Sequence, residues 1–280
     1  MTLKVEPLAE IRESEATGAT AEIYRQIRDS IGVPMVNLVF RNMATAPGCL
    51  EWAWAHLGPL YRSGAVADAA IDLTSDPALD QIVDFDADTV DAPVEQVAQV
   101  GAVYARANPM NLIGLLVVDR LLNNTVARSM GQPARGPAAD PRPAPMVVLP
   151  PMIDLARAPA NVFALLESLA HQLHQGDNGV IPSLYRHFGQ WPGFLAALQR
   201  QLAPAVDNGS LFGAAAAMER RGADLASDLS RQCPAVDARL PDAAVASRIG
   251  ALINTFPANI CRMTIVARAL ARLNRRSGSL

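Results

Sequence analysis

Two segments decide the fold of this chain: NPMNLIGLLVVDRLL at residues 108–122 and FPANICRMTIVARAL at residues 256–270. A shift of 148 residues aligns Pro109 with Pro257, Asn111 with Asn259, Val118 with Val266, Arg120 with Arg268 and Leu122 with Leu270. Both segments are dominated by Ala, Leu, Ile, Val and Met, with apolar residues at helical spacing. The pair therefore indicates one helical unit that occurs twice.

A second set of matches lies upstream of the first. A shift of 145 residues aligns Arg41 with Arg186, Pro47 with Pro192, Gly48 with Gly193, Leu50 with Leu195, Leu57 with Leu202, Pro59 with Pro204, and Gly64 with Gly209. These seven identities fall within 24 positions and keep the same order in both halves. Coincidence does not explain two such sets, so the chain is interpreted as a tandem repeat.

The predicted fold is all-α. Residues 131–151 hold seven of the 21 prolines, a density that helices and central strands do not accept, so they are assigned to a linker. The linker separates an N-terminal repeat, residues 1–130, from a C-terminal repeat, residues 152–280. Each repeat is expected to end in two helices, with a break near Pro109 in the first. Duplicated units commonly pack as an internal pseudo-two-fold dimer with a groove between them, where a site is expected.

The composition excludes several partners and chemistries. The 24 basic and 27 acidic residues give a net charge of −3, so no nucleic-acid partner is expected. Lys4 is the only lysine, which excludes a Schiff-base or phosphate-loop lysine in a folded site. The longest apolar run, 109–118, is about half the ~20 residues that span a bilayer, so we expect no membrane partner and a cytoplasmic protein. Cys49, Cys233 and Cys261 form no C-x-x-C pair and are interpreted as reduced structural thiols.

Two pairs of polar residues are shared by the repeats. Asn111 and Asn259 follow a proline by two residues in an apolar context, so each is either a helix-capping amide or an amide that faces a ligand. Arg41 and Arg186 could likewise anchor an anionic substrate or bind the carboxyl end of a helix, and the structural role is favoured.

A third candidate belongs to the second repeat alone. Glu167, His171, His174 and Asp177 have spacing that puts them on one helical face. A metal site can look like this, but a solvated face that ends in a glycine-rich turn is the favoured interpretation, and no metal is expected. Asp177 stays a candidate catalytic residue because a duplicated protein tends to place its chemistry where the copies differ.

Motifs for common enzyme classes are missing from the sequence. It contains no G-x-S-x-G, no G-x-G-x-x-G after a strand, no H-E-x-x-H and no C-x-x-C. Standard serine hydrolases, dinucleotide enzymes and thiol peroxidases are therefore not supported, and no cofactor is expected.

The order of VPMVNLVFRNMATAPG (33–48), the NPMN segment and VIPSLYRHFGQWPG (180–193) resembles the group I 2-haloacid dehalogenases, the DehI family. The likeness covers about residues 20 to 275. It implies an all-helical pseudo-dimer related to AhpD-like proteins. It also implies an enzyme that hydrolyses short 2-haloalkanoic acids of either hand without metal, cofactor or ester intermediate. The implied partner is a small-molecule carboxylic acid, and a second copy of the chain is a candidate partner.

The resemblance also implies a set of site residues. Asn111 matches a family active-site Asn and Ser183 a Ser beside the catalytic position, with Tyr185 and Asn259 also assigned to substrate binding. Met35, Asn37 and Leu38 fall in the stretch that lines the family's substrate pocket, although an aromatic residue is expected where Met35 stands. The water-activating Asp of the family falls at Leu184, which cannot accept a proton.

These departures leave three hypotheses. The first is a working dehalogenase that uses another base, such as Asp177. The second is a relative with altered or lost chemistry that binds a small carboxylic acid. The third is a structural or interaction protein whose groove is closed.

Overall fold

The computed structural model describes residues 8–86, 91–123, 147–173, 180–233 and 242–273. Within these ranges the chain is helical and has no β-strand, so the all-α prediction is confirmed. The helices are α1 (Gly18–Ile31), α2 (Leu38–Met43), α3 (Cys49–Arg62), α4 (Ala65–Leu73), α5 (Val94–Asn123), α6 (Ala160–Leu173), α7 (Ser183–Arg186), α8 (Pro192–Asp207), α9 (Ser210–Ser230), α10 (Ala243–Thr255) and α11 (Pro257–Ala271). Short 3-10 turns lie at Pro77–Gln81 and Leu155–Arg157.

The two halves of the chain share several local features at aligned positions. Gly64 and Gly209, 145 positions apart, both adopt a left-handed backbone, with φ of +83° and +75°, directly before α4 and α9. The carbonyl of Arg41 accepts a hydrogen bond from the Ile11 amide, and the carbonyl of Arg186 accepts one from Ile153. These matches support the predicted duplication. The boundaries 1–130 and 152–280 and the pseudo-two-fold packing stay predictions, and most of the linker, 131–151, lies outside the described residues.

The core is centred on α5 and α11, which hold the two segments that decide the fold. These helices make the most extensive contact in the molecule, and both pack on α9. Gly101 permits the close approach, because a Cβ there would lie 2.6 Å from the backbone nitrogen of Ala271. Nearly every residue of α5 from Val97 to Val118 is buried. The seam between the halves is therefore the best-packed part of the fold.

The predicted helix break near Pro109 is wrong, because α5 runs through this proline as one helix of 30 residues. A proline inside a helix removes one hydrogen bond and disturbs the preceding turn. Packing against α11, α9 and α4 offsets that cost. The Tyr61 hydroxyl also donates to the Met110 carbonyl at 2.9 Å, beside the proline. In the second half the predicted break does occur, since Pro257 begins α11, where a missing N–H costs nothing, and α10 and α11 meet at a bend of 44°.

Within the described ranges, no single helix combines the length and the apolar content needed to cross a bilayer. Only the bent α10–α11 pair, taken together, meets those two criteria.

Candidate functional site

A cavity lies where the beginnings of α2 and α7 meet α5 and the α10–α11 bend. It encloses about 470 Å³ when its open mouth is included. We call it the seam cavity. It is lined by Asn37, Leu38, Tyr104, Asn108, Val180, Pro182, Ser183, Leu184, Phe256, Asn259, Ile260 and Met263. Most of this wall is apolar, and its polar groups are amides and hydroxyls.

Positions related by the repeat meet in this cavity. Three such pairs contribute to its wall: Asn37 with Pro182, Leu38 with Ser183, and Asn108 with Phe256. Each pair combines one polar and one apolar side chain. Residues of both halves of the chain therefore line the cavity, and where aligned positions meet there, their side chains differ in chemistry.

Five of the predicted binding residues line the seam cavity: Asn37, Leu38, Ser183, Leu184 and Asn259. Three others are buried away from its wall, namely Met35, Asn111 and Tyr185. Tyr185 lies two positions after Ser183 on α7, and that spacing places its side chain near the opposite side of the helix, in the core. Its buried hydroxyl has no hydrogen-bond partner.

The asparagine that α5 contributes to the cavity wall is Asn108 rather than Asn111. Asn108 is 2% exposed, and Asn111, about one turn further along α5, is fully buried with neither amide atom hydrogen-bonded. Sequence reasoning missed Asn108 because its counterpart in the second half is Phe256, so no repeat identity marks it. Its position four residues after Tyr104, on the same helical face, is the signal that could have found it.

The amides of Asn37 and Asn108 are oriented by a chain of hydrogen bonds. Asn37 is the N-cap of α2, so its Oδ1 accepts from the Val39 amide at 3.1 Å. Its Nδ2 then donates to Oδ1 of Asn108 at 3.4 Å. The Nδ2 of Asn108 is buried and has no partner. Reversing either amide would place two hydrogen-bond donors against each other, so the orientation is fixed. Both side-chain oxygens accept hydrogen bonds in this orientation, and the N–H groups of Asn108 have no described partner.

The Asn259 amide is oriented in the same sense. Its Nδ2 donates to the Thr255 carbonyl at 3.0 Å, and its Oδ1 accepts from Nη1 of Arg262 at 3.2 Å. A carbonyl oxygen only accepts and a guanidinium only donates, so the reversed amide would lose both bonds. Asn259 is therefore left with one N–H that has no protein partner.

The hydroxyl groups of the cavity adjoin a buried ionic cluster. Nη2 of Arg41 lies 3.5 Å from the Ser183 hydroxyl, and Ser183 also interacts with the Tyr104 hydroxyl. Burial raises the pKa of Tyr104 above its usual value, so this phenol stays protonated. The Glu10 carboxylate lies 2.8 Å from Nε of Arg41 and 3.5 Å from Nη1 of Arg186.

The two arginines shared by the repeats thus bind one internal carboxylate, and Arg186 also donates to the Ile153 carbonyl. Two guanidinium groups and one carboxylate leave a positive charge next to Ser183. Arg41 and Arg186 thus contact a side-chain carboxylate rather than the carboxyl end of a helix. Their excess charge favours an anion in the adjoining cavity.

A second cavity, of about 560 Å³, lies on the other side of Leu38 and Val180. Its charged residues pair among themselves, because Glu10 binds Arg186 and Arg12 lies 3.8 Å from Asp154. It therefore offers a ligand fewer free charged groups than its residue types suggest. The seam cavity is the better candidate site.

Leu184, the residue predicted to replace a catalytic acid, lies at the cavity wall. Leu184 is 1% exposed, and the described lining residues include no Asp or Glu. Asp177 and His174 lie outside the described residues, but the chain from Asp177 reaches the wall three residues later, at Val180. In the part of the chain that the structure describes, no three His, Cys, Asp or Glu side chains come together as a metal site.

Two of the cysteines, Cys49 and Cys261, are not placed to act as nucleophiles. Cys49 and Cys261 are buried in the core, and burial raises the pKa of the Cys49 thiol to about 11. A thiol with a raised pKa holds little of the reactive thiolate at neutral pH.

The sequence matches no protein-family model and no curated protein. Solved structures do match the fold. One is a D-2-haloacid dehalogenase mutant in complex with D-2-CPA, with a TM-score of 0.76, 18% identity and 95% of each chain covered. A second mutant of a D-2-haloacid dehalogenase gives a TM-score of 0.78 at 17% identity, over 98% of this chain and 97% of the other. A D-2-haloacid dehalogenase with L-LA gives 0.75 at 17% identity, over 99% and 98%.

These matches extend over almost the whole of both chains. At 17–18% identity they establish a shared fold. The resemblance that the sequence suggested is therefore confirmed at the level of the fold: this chain has the fold of the D-2-haloacid dehalogenases.

Proposed function

We propose that this protein binds a short 2-substituted alkanoate, of the 2-haloalkanoate class, in the seam cavity. The observation that carries the proposal is the direction of the three cavity amides. Asn37, Asn108 and Asn259 each use their oxygen on a protein donor, which leaves N–H groups for a ligand. A wall with free donors and no described carboxylate is suited to an anion.

The surroundings favour a carboxylate with a small apolar body. Arg41 and Arg186 against Glu10 leave a positive charge beside Ser183, which lowers the cost of bringing a negative group into the cavity. Apolar side chains on the other parts of the wall suit an alkyl group and a polarizable halogen: Leu38, Val180, Pro182, Leu184, Phe256, Ile260 and Met263. The shared fold of structures that hold D-2-CPA and L-LA supports the same ligand class.

The described wall supplies binding but no base. Displacement of a halide by water requires a group that removes a proton from that water. Leu184 cannot do so, and the amides and the neutral Tyr104 are very weak bases. The best-supported function is therefore recognition of the acid, and hydrolysis needs a residue from outside the described wall.

Hydrolytic dehalogenation is the second candidate, and one observation favours it. Asp177 is three residues from Val180, which lines the cavity, so the chain brings a carboxylate close in sequence to the wall. In this version Asp177 is the catalytic base, Asn108 and Asn259 bind the substrate carboxylate or the leaving halide, and no metal or cofactor takes part.

Binding is tested by calorimetry with D- and L-2-chloropropionate. A hydrogen bond to a charged group contributes about 1.5–3 kcal/mol, so Asn108→Leu and Asn259→Leu should each weaken binding about tenfold or more. Asn161→Leu, at an exposed position of α6, is the matched control and should bind like the wild type. No binding by folded wild-type protein at millimolar ligand would contradict the proposal.

Chloride release separates the two candidates. If hydrolysis occurs, Asp177→Asn should abolish release and leave binding in place; full activity in that variant would exclude Asp177 as the base. If the wild type binds without release, Leu184→Asp tests whether the missing acid is the reason. An inert Leu184→Asp variant that still binds would count against that explanation.

A further inference from the structure

Arg262 lies behind the cavity wall and touches the wall residue Asn259. We propose that Arg262 is a positioning residue that makes the seam cavity select carboxylates over neutral carboxamides, by fixing the direction of the Asn259 amide. This inference rests on the proposed function, since it concerns how the same cavity recognises its ligand.

The guanidinium of Arg262 is held on three sides. Nη1 donates to the Leu173 carbonyl at 2.6 Å and to Oδ1 of Asn259 at 3.2 Å. Its Cζ lies 5.1 Å from the ring centre of Phe212, a cation–π distance. Leu173 is the last residue of α6 and Phe212 belongs to α9, so two other helices fix the group that holds Asn259. The donor that faces Oδ1 is therefore not free to move away.

Fixing the amide decides what the cavity offers a ligand. With Oδ1 on Arg262 and one N–H on the Thr255 carbonyl, the remaining N–H of Asn259 is a donor. A carboxylate presents an acceptor with either oxygen, and its charge strengthens the bond to a fixed donor. A carboxamide can meet that donor only with its carbonyl oxygen, in a weaker neutral hydrogen bond, because its NH₂ would be repelled. Without Arg262 the oxygen of Asn259 loses its donor, and only the bond to the Thr255 carbonyl still orients the amide. The amide is then held less firmly as a donor, so the preference for a carboxylate should weaken.

The first half of the chain has no such device. The position equivalent to Arg262 is Gly114, where a Cβ would lie 2.5 Å from the Tyr61 hydroxyl. Asn111, the equivalent of Asn259, has no hydrogen-bond partner. Arg262 is thus present in the half whose asparagine, Asn259, lines the cavity, and it is replaced by Gly114 in the half whose asparagine does not. A role in ligand recognition requires this arrangement.

The test compares 2-chloropropionate with the neutral 2-chloropropionamide, which has nearly the same shape. In Arg262→Met the ratio of their affinities should fall about tenfold, the value of one hydrogen bond to a charged group. Arg262→Lys keeps a donor and should restore part of the ratio. Arg221→Met removes the same charge from an exposed ion pair with Asp72 and should leave the ratio unchanged. An unchanged ratio in folded Arg262→Met, with a changed ratio in Asn259→Leu, would overturn the proposal.

A measurement without ligand separates this inference from the proposed function. The side-chain ¹⁵N resonances of Asn259, assigned by their loss in Asn259→Leu, should be well dispersed in the wild type and move to the values of a free amide in Arg262→Met. Far-UV circular dichroism checks that Arg262→Met is folded. If it is not, the same resonances are measured in Phe212→Leu, which removes only the ring that stacks on Arg262. Unchanged resonances would refute the positioning role even if the protein binds none of the acids.

Discussion

The two copies of the proline–asparagine segment share a sequence pattern but differ in what their asparagines do. Asn111 is fully buried in α5 without a hydrogen-bond partner, whereas Asn259 lies at the seam cavity between the Thr255 carbonyl and Arg262. Both follow a proline, yet Pro109 lies within a continuous helix and Pro257 begins one. Two segments that align in sequence thus place their asparagines in different surroundings, one in the core and one at the cavity wall.

The segments around the short helices α2 and α7 also differ at aligned positions. Asn42 donates from its Nδ2 to the Ala9 carbonyl at 2.7 Å, and His187, 145 positions later, contacts the Pro150 carbonyl through Nδ1 at 2.5 Å. Each side chain ties its helix to the segment before it. One tie is a neutral amide and the other is a group that titrates, so the equivalent contacts respond differently to pH.

The largest expected effect is at the contact between the two copies. In Gly101→Ala the new Cβ would meet backbone and Cβ atoms of α11 at 2.6–2.9 Å, and such atoms cannot turn aside. We expect the free energy of unfolding to fall by about 3 kcal/mol, as for an overpacked core. Chemical denaturation measures it. Gly250→Ala on α10, where a Cβ meets nothing within 4 Å, is the control and should stabilise by about 0.5–1 kcal/mol. Equal effects would mean that α5 and α11 are not closely packed at Gly101.

The asparagine pair should respond in opposite ways to the same substitution. Asn111→Leu replaces a buried amide without a partner, so it should raise the free energy of unfolding by about 1–2 kcal/mol. Asn259→Leu should leave stability nearly unchanged and weaken 2-chloropropionate binding. Denaturation and calorimetry on both variants give the result. An equal loss of binding in Asn111→Leu would show that both copies serve the cavity and would restore the binding role predicted for Asn111.

The third difference, His187 in the second half against Asn42 in the first, should make the stability of the protein depend on pH. Burial lowers the pKa of His187 below its usual 6.5, and the charges of Arg186 and Arg41 lower it further, while the Pro150 carbonyl partly opposes them. Below about pH 6.5 the unfolded chain therefore takes up a proton that the folded protein does not, so stability falls as the pH decreases. Each unit of depression corresponds to about 1.4 kcal/mol.

His187→Asn gives the second copy the residue of the first, and its stability should vary less between pH 7 and pH 5. Thermal unfolding across this range checks the expectation. His171→Asn, at an exposed position of α6, is the matched control. The same loss of stability at pH 5 in wild type and His187→Asn would show that another group is responsible.

Much of the fold could be predicted from the sequence because the information is local or linear. Helical spacing of apolar residues indicated an all-α chain, and identities at fixed shifts indicated two similar halves. Five of the twelve described residues in the wall of the seam cavity were also predicted to bind substrate: Asn37, Leu38, Ser183, Leu184 and Asn259. The break at Pro109 failed because packing on three helices overrode the local preference of proline.

The polar chemistry of the site was predicted less well. Asn108 is not matched by an identical residue in the second half. Its orientation depends on Asn37, 71 residues earlier, whose side-chain amide donates a hydrogen bond to its oxygen. Arg41 and Arg186 were noticed as a pair, but nothing in the sequence showed that Glu10 lies between them. Arg262 was overlooked because its partners, Leu173 and Phe212, belong to other helices.

The linear sequence was sufficient to predict an all-α chain. It also gave the prediction of two similar halves and of a leucine, Leu184, at the expected position of a catalytic acid. Periodicity, repeat order and residue identity are properties of the linear chain, so they can be obtained without coordinates. Only the tertiary structure decided which asparagine reaches the cavity, which end of each amide faces a ligand, and where the excess positive charge lies. Those properties depend on hydrogen bonds and ion pairs between residues that are distant in the chain, and such contacts exist only once the helices have packed.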